Sequence, residues 1–482
     1  MSSILFIALP LLFGFATPIL SKFGKNGVAY TSMLMQLFLL ALAVSLLTTT
    51  SSYVEIISIA PPLGISFVLN SASLFFVLLF TLLMTLFSLY YLIHRKTDAY
   101  KDETKFFILL NMLLAAAIGL VLSSDIFNIY VFFEIAGISA YILSAYKKTS
   151  SALEAGLKYL LTGAVASVFL VFAIALIYIN IGSLNLAVIA HSFEALPYNI
   201  KLLISILLLI GFGFKVEIFP LNFWVTDVYQ GSSSLVNALF SGIVVKAYLF
   251  VFFHILYLFL PNGDFTVFLV YLGAISMLVA EIVGLRQTNL KRLFAYSSLG
   301  QVALIFTAFA MQNKDAIQAA LFIVFSHSVA KFIIFLVLSA IEKEHKSIHI
   351  DTLKALNSSF LRAIMLIAML SLLGIPLFAG FIGKFLALKS FAVEGLFVVL
   401  AIIIIGSLIE AVYYFKLAGF MFAKGEKREP LKIALAQKTL FGLLAFSLIL
   451  IGIAPITISG FLLDASSVML DGKSYVSMLV GG

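Results

Sequence analysis

Apolar residues run in blocks of about twenty along almost the whole chain, with short polar breaks between them. A block of that length crosses a hydrocarbon core of about 30 Å as an α-helix, at about 1.5 Å per residue. The blocks fall at residues 3–21, 29–49, 67–93, 105–123, 125–146, 155–182, 200–220, 233–259, 265–285, 293–312, 315–341, 360–387, 394–422 and 437–463. Only Ser123 and Ser124 mark the turn between the fourth and the fifth. The first block, from Ile4 to about Leu20, has no basic stretch before it and no clear small-residue cleavage site, so it reads as an uncleaved first helix. The pattern predicts an all-α polytopic membrane protein of about 14 transmembrane helices, one integral membrane domain over residues 1–482.

Composition supports the same class. The chain is 63% hydrophobic and 11% charged, whereas soluble domains are about 45–50% apolar and about 25% charged. No stretch is polar enough to form a separate soluble domain. A net charge of +8 would suggest nucleic acid in a soluble protein; here the basic residues sort by loop instead. With the N-terminus placed outside, the loops of one side hold Lys22, Lys25, Arg95, Lys96, Lys147, Lys148, Arg286, Lys291, Arg292, Lys343, Lys346, Lys424, Lys427 and Arg428, among others. The opposite side holds only Lys201, Lys314, Lys389 and Lys473. Positive charge collects on the cytoplasmic side of membrane proteins, so both termini are expected outside. A missing or extra helix would scramble that alternation.

Zero cysteines exclude disulfides, cysteine-ligated clusters and thiol chemistry. The six histidines show no metal-ligand spacing. No haem, flavin or nucleotide motif is visible, so no cofactor is expected.

Two spans carry signals of interrupted helices. One reads Gly211-Phe-Gly-Phe-Lys215-Val-Glu217-Ile-Phe-Pro220, the other Gly374-Ile-Pro376-Leu-Phe-Ala-Gly380-Phe-Ile-Gly383-Lys384. Proline removes a helical hydrogen bond, and the backbone groups it frees are tolerated at membrane depth where they line a cavity. Paired broken helices point to a transport site. These are the seventh and twelfth spans, five apart and therefore oppositely oriented. That is the parity of two inverted five-helix repeats, residues 105–259 (helices 4–8) and 265–422 (helices 9–13). Residues 1–100 then hold helices 1–3, and 437–463 the last helix. For either break alone, a proline that merely kinks a packed helix is an equal alternative.

Charges inside the apolar blocks are the main clue to function. Glu134, Lys215, Lys246, Lys331, Lys384 and Lys416 all lie within spans. Each mid-bilayer charge costs about 2.5–3.5 kcal/mol on insertion, and such residues mark ion or proton paths. Glu134 and Lys215 are candidate partners from different helices, a pair whose opening and closing would change how tightly the lysine holds its proton; the bland alternative is a static ion pair. Lys246 sits mid-span with no acid near it in sequence. Lys331 follows His327 by four residues, which places both on one helical face and suits a relay. Glu410 and Lys416 are six apart and do not face each other closely; Lys416 reads as a residue that snorkels. Glu281, near the end of its span, reads as a partner for loop lysines. Asp227 reads as a cap for a short helix or a contact with a neighbouring subunit. The role of Glu217 stays open.

Several segments together resemble the antiporter-like membrane subunits shared by respiratory complex I, Mrp-type cation/proton antiporters and membrane-bound energy-converting hydrogenases. They are Asp125-Ile-Phe-Asn-Ile-Tyr-Val-Phe-Phe-Glu134, Glu154-Ala-Gly-Leu-Lys158-Tyr-Leu-Leu-Thr-Gly163, Lys215-x4-Pro220-Leu-x-Phe-Trp224-x-x-Asp227, Asn289-Leu-Lys291-Arg-Leu-Phe-Ala-Tyr-Ser-Ser298, His327-x3-Lys331 and Gly380-Phe-Ile-Gly383-Lys384. The similarity spans about residues 100–420. It implies fourteen helices, two inverted repeats and a polar axis in the mid-membrane plane. On that axis Glu134 and Lys215 would be the modulating pair, Lys246 and Lys331 central relays, and Lys384 the lysine of the second broken helix. His327, Lys158 and Glu410 are further relay candidates. The chain departs from the family pattern at Asn222, Val225-Thr226, Ser232-Ser-Ser, His254 and Gln301, which bears on subunit contacts more than on the buried charges.

The resemblance implies a subunit without redox chemistry of its own, in a prokaryotic inner (plasma) membrane. Its partners would be other membrane subunits, protons and the lipid bilayer, with sodium and the host complex left open and no nucleic acid. A free-standing secondary transporter for a solute or cation is the competing reading, since broken helices and midplane charges suit it too. An inert scaffold is the third.

Overall fold

The structure, a computed structural model, describes residues 3–23, 27–48, 52–57, 64–98, 102–260, 264–344, 348–356, 358–423 and 433–480. Of the basic loop residues named above, Lys25, Lys346, Lys424, Lys427 and Arg428 lie outside the described residues.

The first part of the chain forms α1 (Leu5–Leu20), α2 (Gly27–Ser45), a hairpin of β1 (Tyr53–Ile57) and β2 (Ile65–Leu69), α3 (Ser71–Asp98) and α4 (Glu103–Leu122). Next come α5 (Ile126–Ser144), α6 (Ser150–Ile181), the short α7 (Leu186–Phe193), α8 (Tyr198–Lys215), α9 (Val225–Gly231), α10 (Ser234–Leu239) and α11 (Val245–Phe259). The second part holds α12 (Asp264–Leu285), α13 (Leu290–Ala310), α14 (Lys314–Glu344), α15 (Ser359–Leu373), α16 (Ala379–Val393) and α17 (Phe397–Phe422). The chain closes with α18 (Leu435–Ile453), α19 (Ile456–Leu470) and α20 (Gly472–Val480). Among the described residues, 12 helices are long and apolar enough to cross a membrane, and Leu5–Leu20, Ser359–Leu373 and Ile456–Leu470 are shorter apolar helices.

Polar caps set the boundaries that hydropathy left soft. Asp125 accepts from the backbone N–H groups of Phe127 and Asn128, both at 2.9 Å, and so starts α5 immediately after the Ser123-Ser124 turn. Asn289 does the same for α13 through Lys291 and Arg292. Such caps satisfy amides that have no helical partner.

Both expected interruptions are present. α8 stops at Lys215, and the chain passes through Glu217 at φ 61° and a cis Phe219–Pro220 bond before α9. α15 ends on Gly374 at φ 80°, and α16 begins at Ala379. The third span starts four residues later than expected, at Ser71. Its first residues form β2, which pairs antiparallel with β1 from Tyr53↔Leu69 to Ile57↔Ile65. A short apolar run does not by itself separate strand from helix. The last span also divides, because Pro455 lacks the N–H that would continue α18, and α19 follows as a separate helix.

α10–α11, α13 and α14 are almost wholly buried, while α6, α17 and α18 turn large apolar side chains outward. The polar positions of the interior helices therefore meet one another.

Candidate functional site

In the first half, Lys215 is buried at the last turn of α8. Its ammonium donates to the Tyr141 hydroxyl at 2.5 Å and lies 4.6–5.6 Å from the ring centroids of Tyr141, Tyr159, Phe133 and Tyr248. Aromatic faces stabilise a desolvated cation without neutralising it. Glycines clear the space for this contact: a Cβ at Gly163 would stand 1.8 Å from the Tyr141 oxygen, and one at Gly137 would stand 2.7 Å from it. Glu134, two turns earlier than Tyr141 on α5, has a buried Oε1 with no hydrogen-bond partner. Among the described residues no ion pair joins Glu134 to Lys215; Tyr141 holds the lysine instead.

Glu217 lies in the break after α8, buried, with Oε2 unpartnered. It lines a crevice with Lys215, Tyr159, Trp224 and Tyr229. Trp224 Nε1 and the Tyr229 hydroxyl are also unpartnered.

The two halves meet at Lys246. Its Nζ contacts His327 Nδ1 on α14 at 2.6 Å and donates to the Ser241 carbonyl. Residues Phe240–Val244 form a π-helical turn between α10 and α11. Such turns loosen the regular ladder and occur at functional sites. The other ring nitrogen of His327, Nε2, is buried and unpartnered. His327 and Lys331 share a helix as expected but do not bond each other.

Lys331 turns to α13, donating to Ser297 Oγ at 2.6 Å and to the Phe294 carbonyl at 3.0 Å. Ser297 Oγ is 2.5 Å from the Tyr414 hydroxyl, and Glu410 lies about one turn before Tyr414 on α17. Glu410 is completely buried and forms an ion pair of 2.8 Å with Lys384. Lys384 also donates to the Leu373 carbonyl at 3.2 Å, one of the acceptors freed where α15 ends. Gln301 donates to both Glu410 oxygens, at 2.8 and 2.9 Å. The sequence placed Glu410 only among the secondary candidates; here it is the partner of Lys384.

Other candidates stand apart from this interior. Lys158 is 40% exposed and pairs with Glu154 at 2.8 Å and Asp227 at 2.7 Å. Asp227 also binds Arg292 at 2.6 Å, so its partners are cations of this chain rather than a helix amide. Lys416 is exposed, as its reading as a snorkelling residue anticipates. Glu281, expected to meet loop lysines, forms no ion pair with one among the described residues. It is fully buried and accepts from the Tyr413 hydroxyl at 2.7 Å. Tyr141, Ser297, Tyr413 and Tyr414 were not singled out from sequence. Hydroxyls scattered through apolar helices give no periodic signal; only Gly137 and Gly163, clearing space around Tyr141, offered one.

Comparison with known proteins decides the family. The family described as NADH:quinone oxidoreductase/Mrp antiporter, TM matches residues 123–410. The chain belongs to this family. A protein from Acidobacterium capsulatum named NADH-quinone oxidoreductase subunit N 2 is 32% identical over 405 residues, 78% of this chain and 81% of that protein. Its namesake from Symbiobacterium thermophilum is 34% identical over 335 residues, 64% of this chain and 66% of that one. Among solved structures, a chain of an archaeal respiratory complex, the membrane-bound sulfane sulfur reductase, superposes with a TM-score of 0.94 at 30% identity, covering 99% of both chains. A chain of respiratory complex I from Thermus thermophilus gives 0.79 at 27% identity, covering 94% of this chain and 98% of that one. A chain of the Mrp complex from Dietzia shares the fold at 20% identity, with a TM-score of 0.90 and 99% of both chains covered. This antiporter-family chain is an integral membrane protein, and its matched segment contains every central charged residue described above.

Proposed function

We propose that this chain is a proton-translocating, antiporter-like subunit of a multisubunit membrane complex, with no redox chemistry of its own. Protons would move along Glu134, Lys215, Lys246, Lys331 and Lys384, with His327 and Glu410 as relays. The single observation that carries this reading is the buried cluster in which Lys331 bonds Ser297, Ser297 bonds Tyr414, and Glu410, about one turn before Tyr414 on α17, pairs with Lys384. Each member can give or accept a proton. A compact pocket for a solute would not need charges spread across both halves of the molecule.

The complex-forming nature of its relatives is the ground for expecting partner subunits. The membrane is proposed to be the inner membrane of a prokaryotic cell, with both termini outside. Lys158, paired at the rim, would act in a proton path only by releasing Asp227.

The test is proton uptake by liposomes holding the whole complex, with Glu134→Ala and Lys215→Ala. Loss of uptake in both, with the complex still assembled, is the expected result. Unchanged uptake would leave an inert scaffold. Solute uptake by the isolated chain would favour a free-standing transporter.

A further inference from the structure

Glu281 on α12 is completely buried, yet it stands outside the lysine series just described. One of its oxygens, Oε2, accepts from the Tyr413 hydroxyl at 2.7 Å. The other, Oε1, is buried with no hydrogen-bond partner. An unpartnered buried acceptor costs about 1–3 kcal/mol, so a carboxyl kept only to tie two helices together would be expected to use both oxygens.

The neighbouring helix is shaped around that free oxygen. A Cβ at Gly300 of α13 would lie 1.9 Å from Oε1 and 2.8 Å from the carboxyl carbon. A side chain at this position would occupy the volume that the carboxyl fills.

Its position along the membrane normal is also specific. Glu281 stands four residues before Leu285, the last residue of α12, or about 6 Å from the helix end at 1.5 Å per residue. Arg286, Lys291 and Arg292 follow in the connection and the first turn of α13. On its other side stands α17, where Tyr413 lies three residues after Glu410, the partner of Lys384. α17 presents two adjacent hydroxyls here, with ring centroids 4.8 Å apart. Tyr413 reaches Glu281, and Tyr414 reaches Ser297 and the Lys331 branch.

We propose that Glu281 is a proton-holding carboxyl that connects the Lys384–Glu410 pair to the membrane face bearing the Arg286–Arg292 connection. This rests on the proton-translocating reading above. A proton arriving from that face binds Oε1 and converts the carboxylate to the acid. It then passes to the Glu410 carboxylate, which becomes the acid as Glu281 returns to the anion. Tyr413 positions the carboxyl without exchanging its own proton.

Glu281→Gln separates this role from a structural one, because the amide keeps an oxygen for Tyr413 and fills the same space but cannot carry a proton. The whole complex is reconstituted with E281Q, Y413F and K384A, and proton uptake is measured. E281Q is expected to lower uptake about tenfold or more, and Y413F, which keeps the carboxyl but loses the bond that positions it, is expected to lower uptake less than E281Q does. Native uptake in E281Q alongside loss in K384A would overturn this inference and leave the reading of the chain standing. Native uptake in both would overturn that reading as well, and this inference with it. Should E281Q not assemble, E281D against E281N makes the same comparison one methylene shorter. Equal uptake in the two would overturn the proposal, and a large loss confined to E281N would support it.

Discussion

Lys246 and His327 join the two halves of the molecule by one contact of 2.6 Å between Nζ and Nδ1. Each comes from an almost wholly buried helix, and neither has a carboxylate within ion-pair distance among the described residues. An amine and an imidazole in direct contact share protons rather than cancel charges. Replacing His327 by Ala should therefore interrupt transfer between the halves, lowering proton uptake by the assembled complex about a hundredfold. Uptake by liposomes containing the complex checks this, with assembly verified on a native gel.

Lys384 and Glu410 pose a separable question of stability. Removing one member of a buried ion pair costs about 3–5 kcal/mol, whereas replacing both by apolar residues is often neutral. Glu410→Leu alone should lower the melting temperature of the purified complex markedly. Adding Lys384→Met should restore it while proton uptake stays lost. Uptake that recovers together with stability would show the pair to be only a strut.

Ser297→Ala and Tyr414→Phe each remove a single hydroxyl and almost no volume. If Lys331 communicates with Glu410 through them, each should slow proton uptake by about tenfold or more with little change in melting temperature. Single-turnover proton release measured in the two variants would locate the block.

Tyr141→Phe removes the hydroxyl that receives the Lys215 ammonium at 2.5 Å and leaves the surrounding rings in place. The lysine, freed to approach Glu134, should shift the pH profile of uptake while the complex remains assembled. A profile identical to the native one would show that Tyr141 does not govern that lysine.

The absence of native cysteine makes the proposed topology easy to test. Single cysteines placed at Lys473 and Lys201 should react with an impermeant maleimide from outside intact cells, and one at Lys148 should not. The reverse pattern would invert the whole assignment.

Much of the architecture was legible because membrane crossing is mainly a matter of length and apolarity. The two interruptions were legible because glycine and proline act on the backbone itself. The hairpin before α3 was not, since five apolar residues satisfy a strand as well as the start of a helix. Nor was the break at Pro455, where the apolar run continues unchanged on both sides. Within the site, the charged members stood out against an apolar background, but their partners did not. Lys215 meets Tyr141 rather than Glu134, and Glu281 faces Gly300 rather than the loop, for one reason. Successive helical residues rotate by about 100°, so distance along the chain does not reveal which neighbour a side chain faces.

The glycines at 163 and 300 invert the logic of a scanning experiment. Alanine, the usual harmless probe, adds one methyl group at each, in volume already occupied by the Tyr141 oxygen or the Glu281 carboxyl. Positions with no functional group of their own should thus rank beside the lysines in an alanine scan. Part of what directs charge through this protein is written as atoms left out.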